Sequence, residues 1–213
     1  MVFMAQIGLI LVALAVVRSL VLRRDYIAPI GERPYRGGWK LIVGIIVLLA
    51  LQIILVVYVP GQSVFQMLIM TSFHLGATAF FLLNRHIPGV KLVILGAVFN
   101  IVVALVNGGW MPLTPDAAHF VYRDKVPIEV GIRPLKSKSI VIDKEDTNLW
   151  ILSDIIRIKV PWRRAAISIG DVLLLVGIAQ FIFQVKAKEE RRDSRGKRGR
   201  VALAPSATGD PAH

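Results

Sequence analysis

Asn107-Gly108-Gly109-Trp110-Met111-Pro112 closes one long apolar run, and Ser168-Ile169-Gly170-Asp171 opens the last one. An apolar helix that stops at Asn-Gly-Gly can leave through left-handed torsions that glycine adopts at little cost, and Pro112 opposes its resumption. At the second corner a serine stands three residues before an acid, the spacing of a capping box at a helix start. There the hydroxyl accepts from one unpaired amide and the carboxylate reaches back to another. An acid in the first turn adds about 0.3 to 1 kcal/mol of interaction with the helix dipole. Asn107, Gly108, Gly109, Met111, Pro112, Ser168, Gly170 and Asp171 are therefore candidate functional or structural residues, and both corners are expected at one membrane surface.

Working outward, the class follows from composition. The 213 residues are 55% hydrophobic with a mean hydropathy of +0.63, and several apolar runs approach twenty residues. Those figures suit a polytopic membrane protein built of helices. Five runs are long enough to span, at 3 to 22, 39 to 59, 64 to 83, 90 to 107 and 168 to 185. The first lacks a basic leader and reads as a retained helix. The expected organisation is a four-helix membrane region (1–107), an extracytoplasmic loop with an interfacial segment (108–167), a fifth transmembrane helix (168–185) and a disordered basic cytoplasmic tail (186–213). Within the loop, Thr114-Pro115-Asp116 predicts a short helix over 115 to 122. Val126 to Ile132 and Ser139 to Asp143 read as extended pieces, and the apolar stretch from Leu149 reads as interfacial, with Trp150 and Trp162 at headgroup depth.

The net charge is +12, and Lys and Arg gather between the runs. Segments 23 to 40, 84 to 91 and 186 to 200 hold five, two and eight of them, while the connection Pro60-Gly61-Gln62-Ser63 holds none. The positive-inside rule then places the N-terminus outside and the C-terminus inside. Residues 108 to 165 oppose this with ten basic side chains, although seven acidic ones accompany them. The tail lacks interleaved aromatics, so it suits anionic lipid better than nucleic acid.

Polar groups inside the runs have structural readings. Gly96, Asn100, Ala104 and Asn107 share a helix face suited to packing, as do Thr71, His74 and Thr78, and Gly177, Gln180 and Gln184. His74 is expected to be satisfied by Thr71 or a backbone carbonyl. Asp171 is the sole carboxylate within an expected span, and such a group is by default a candidate functional site. Asp154 and Asp146 fall on the same expected surface, though nothing in the sequence fixes the separation of the three acids. There is no cysteine, Asp116-x-x-His119 is an isolated pair, and no metal or cofactor is expected. The absence of Walker, dinucleotide, Gly-x-Ser-x-Gly and EF-hand patterns weakens an enzyme reading and leaves it open.

Asn107-Gly108-Gly109-x-Met111-Pro112, Asp146-Thr147-x-Leu149, Leu152-x-Asp154-Ile155-Ile156 and Ser168-Ile169-Gly170-Asp171-Val172-Leu173 occur in this order, at expected membrane boundaries. In these residues the chain resembles a bacterial membrane family known as domain of unknown function 5317. The resemblance covers chiefly the second half of the chain and excludes the first run and the tail. It implies a shared architecture and brings no activity, substrate or catalytic residue. The function expected is that of a non-enzymatic integral membrane protein whose loop binds membrane lipid or a protein partner. The alternative is a small membrane enzyme or carrier using Asp171 and Asp154.

Overall fold

The computed structural model describes residues 35–123, 125–161 and 163–181. The run at 3 to 22, Trp162 and the tail from 186 lie outside the described residues. Three helices come first: α1 (Gly38–Tyr58), α2 (Val64–Leu83) and α3 (Val90–Val106). A lobe follows, made of β1 (Met111–Leu113), α4 (Pro115–Tyr122), β2 (Ser139–Val141), a single 3-10 turn at Trp150–Leu152, β3 (Ile156–Val160) and β4 (Arg163–Ile167). The chain then returns to the bundle as α5 (Ile169–Phe181).

The chain is mostly helical, and α1 and α2 are long and apolar enough to cross a membrane. Their outward faces carry large apolar side chains in the open, among them Ile46, Val47, Ile54, Leu68 and Leu75. With 17 residues, α3 is shorter, as is the described part of α5. The helix junctions are tied by amides. Ser63 and Gln66 form a reciprocal capping box at the start of α2, and the Gln66 side chain also donates to the Leu55 and Val59 carbonyls that end α1. At the opposite end, Asn84 Nδ2 donates to the Arg36 carbonyl, while its oxygen accepts from the Arg36 amide.

Glycines set the distance between α3 and α5. A Cβ on Gly96 would lie 2.4 Å from the Gly170 carbonyl oxygen, and one on Gly177 would lie 2.7 Å from that of Gly89. The two helices therefore touch backbone to backbone at two levels seven residues apart. The face of Gly96 and Asn100 packs in this way against the last helix.

In the lobe, Thr114 caps α4 over Pro115–Tyr122 as its sequence predicts. Of the two expected extended pieces, only the second contains a strand: 126–132 turns through Gly131, at φ 82°, and exchanges two bonds with Val141 of β2, donating from Gly131 and accepting at Ile132, without joining a sheet. The strand β2 pairs in parallel with β1, Met111 opposite Ser139. The stretch from Leu149 makes the 3-10 turn and leads into an antiparallel hairpin, Ile156 opposite Ile167, packed through Ile156, Ile158 and Val160 onto Ala165 and Ile167. Leu113, Ala117, Ala118 and Val141 form the core of the lobe, and Trp110 carries that core into the bundle by packing on Val56 and Met70.

Candidate functional site

Three fastenings hold the lobe on the helix ends. Asn107 exchanges two bonds of 2.9 Å with the backbone of Asn148, whose own amide donates to the Val106 carbonyl. Arg133, 4% exposed, donates to Gly61 O (2.5 Å), Val59 O (2.6 Å) and Ser137 O (2.7 Å), and lies over the Trp110 ring. A guanidinium on the last carbonyls of a helix satisfies acceptors that have no intrahelical donor and opposes the negative dipole end.

The third fastening is a buried polar cluster. From α3 comes Asn100; the start of α5 brings Ser168 and Asp171; the loop into β2 brings Lys138, and β2 itself Ser139; Asp154 follows the 3-10 turn, its amide bonded to Pro112 O. Ser168 Oγ accepts from the Asp171 amide at 2.9 Å and donates to Asn100 Oδ1 at 2.8 Å. Asn100 Nδ2 donates to Asp171 Oδ1 at 2.8 Å, and Lys138 Nζ donates to Asp171 Oδ2 at 3.4 Å. Ser139 Oγ donates to Asp154 Oδ2 at 2.8 Å. Only the serine half of the expected capping box is thus formed. The Asp171 carboxylate is bonded instead to Asn100 and Lys138.

The charges are set by burial and by one another. Burial works against the Lys138 ammonium, but Asp171 and Asp154 outweigh it and hold its pKa above that of an ordinary lysine. Asp154 is raised, since burial and the neighbouring Asp171 carboxylate together exceed the pull of Lys138 and the Ser139 bond. Lys138 stays charged, and Asp154 is the group within reach of titration.

Two cavities flank Lys138. The one toward the helices, about 40 Å³, is lined by Thr71, His74, Asn100 and Met111. There His74 Nδ1 lies 2.6 Å from the Met70 carbonyl, one of the two partners expected for it. The other, about 70 Å³, lies within the lobe and is walled by Tyr122, Lys136, Lys138, Ser139, Asp154, Arg163 and Arg164. Asp154 Oδ1 and Arg164 Nε, both buried, have no hydrogen-bond partner among the described residues.

Of the candidates from the sequence, Asp154, Ser168, Gly170 and Asp171 meet at this cluster. Asn107 belongs to a separate fastening. Gly108 and Gly109 make the left-handed exit at φ 77° and 86°, Gly109 against Met67. Met111 and Pro112 are buried in β1. Asp146 is exposed in the 143–147 turn and lines neither cavity. Lys138, Arg133, Arg163 and Arg164 escape a reading of the sequence, where they are four cations among ten in a loop.

A family described as a family of unknown function, DUF5317, matches residues 34–183. An uncharacterized protein of Thermotoga maritima is 32% identical over 117 residues, which are 54% of this chain and 62% of that protein. The chain thus spans less than two thirds of that relative's length. No solved structure matches.

Proposed function

We propose that this chain, which belongs to the DUF5317 family, is a five-span bacterial inner-membrane protein whose lobe binds membrane lipid at the outer surface without catalysing a reaction. In this reading α3 and α5 join α1, α2 and the run at 3 to 22 as spans, the N-terminus is outside, and the basic tail is inside. The lobe and the uncharged 59–63 connection sit at the same helix ends, joined through Arg133 and Gln62, which supports a common side for both.

The observation that carries the reading is a cation-walled cavity in a lobe fastened directly onto apolar helix ends. A lipid beside the helices would have its polar end at this height. Purification in native nanodiscs, followed by lipid analysis, tests it. One or a few lipids retained in fixed stoichiometry support the reading; a lipid content that mirrors the surrounding membrane overturns it.

One observation favours the alternative of a carrier. Lys138 lines both cavities, so Asp154, Lys138, Asp171 and Asn100 connect the lobe with a pocket holding His74. Buried ionisable groups in such a row are the usual components of a proton path. Vesicles containing the purified chain and an internal pH dye would acidify when the outside is made acid, and Asp171→Asn vesicles would not. Equal acidification of protein-free vesicles removes this reading.

A further inference from the structure

We infer that the cavity between Asp154 and Arg164 is a binding site for a phosphate ester that also carries a hydroxyl or ammonium donor, the chemistry of a phosphoglycerol or phosphoethanolamine headgroup. The inference rests on the lipid-binding reading for its source and on the cavity itself for its chemistry.

The walls pose two opposite demands. Arg164 Nε is a buried donor with no acceptor, and Asp154 Oδ1 is a buried acceptor with no donor, both among the described residues. A buried polar group left in this state costs free energy, and proteins seldom tolerate two in one wall unless something fills the gap. Water satisfies both but leaves the charge of the walls uncompensated. Lys136, Lys138, Arg163 and Arg164 line the cavity together with a single carboxylate, Asp154. Asp171 pairs with Lys138 at 3.4 Å, which leaves Lys136, Arg163 and Arg164 against the Asp154 carboxylate.

The surplus of positive charge selects an anion, and the guanidinium fork favours phosphate oxygens. A bare anion would be repelled by Asp154, whereas an ester whose short arm ends in a hydroxyl or ammonium gives Asp154 Oδ1 its donor. The size agrees. A single water needs about 10 to 15 Å³, so about 70 Å³ has room for a small polar headgroup. The acyl chains would lie along the exposed apolar flanks of the helices.

The test uses the full chain in nanodiscs of phosphatidylglycerol or of phosphatidylcholine, whose headgroup keeps the phosphate and lacks a donor. Native mass spectrometry counts retained lipid, and glycerol 3-phosphate is added as the soluble source of the same chemistry. Phosphatidylglycerol is expected to be retained about tenfold or more over phosphatidylcholine. Arg164→Gln and Asp154→Leu are expected to abolish the preference, and Arg164→Lys, which tolerates the same packing, to weaken it; melting curves identify any variant that fails to fold. Equal retention of the two lipids overturns the headgroup site and leaves lipid binding standing. Binding of glycerol 3-phosphate without retention of any lipid overturns the lipid source and supports the site. Failure of both ligands overturns the proposal.

Discussion

Arg133 concentrates more of the lobe's attachment in one side chain than any other residue described, because its guanidinium meets carbonyls from three places in the chain. Arg133→Ala leaves the oxygens of Val59, Gly61 and Ser137 without that donor, and bonds to a charged partner are worth about 1.5 to 3 kcal/mol each. The variant is expected to lose about 2 to 5 kcal/mol, with Arg133→Lys between the two, since an ammonium cannot serve all three directions. Thermal unfolding in detergent measures both. Asp154 gives a pH dependence of definite sign. Its folded pKa lies above the ordinary 3.8, so the native state holds the proton more tightly than the unfolded chain. Stability therefore falls as pH rises from the ordinary aspartate value toward the higher folded one, and Asp154→Asn is expected to flatten that fall. An unchanged slope in the variant would show that Asp154 is not the titrating group. Asp171 and Asp154 stand out in the sequence because acids are scarce near the membrane boundary. Lys138, preceded by Lys136 and Ser137, has the signature of a solvated loop, and the pairing of β2 with β1, 28 positions away by register, draws it inside.

At the scale of elements, the glycine contacts between α3 and α5 separate two outcomes of one substitution. Gly96→Ala drives a methyl group into the Gly170 carbonyl, which cannot move aside as a side chain could, and is expected to cost about 1 to 3 kcal/mol. Gly44→Ala in α1 meets nothing within 4 Å and is expected to be neutral or to stabilise by up to about 1 kcal/mol. Melting temperatures of the two variants check the contrast. The helices were legible because apolar runs and capping residues such as Thr114 are local signals. The hairpin was less so: Ile156-Arg157-Ile158-Lys159-Val160 alternates as a strand does, but it adjoins the apolar Leu149–Leu152 stretch and blends into it. The parallel pairing of β1 with β2 has no local signal at all, and Pro112 even argues against a strand.

For the whole molecule, the proposed orientation is open to labelling, since no native cysteine interferes. Glu145→Cys, exposed in the lobe, is expected to react with a membrane-impermeant maleimide in intact cells, and His86→Cys only after permeabilisation. The reverse pattern would exclude the orientation. The Arg133 fastening also bears on how the chain is made. Ribosomes deliver the N-terminal parts first, so the end of α1, which Gln66 already serves, is synthesised before a second donor that lies more than seventy residues downstream. Nascent chains halted before residue 133 therefore present an unfinished helix end, a mark by which a membrane protease can tell an interrupted product from a completed one. Stalled chains ending near residue 125 are expected to be degraded faster than chains ending near residue 181, and pulse-chase decay rates would measure the difference.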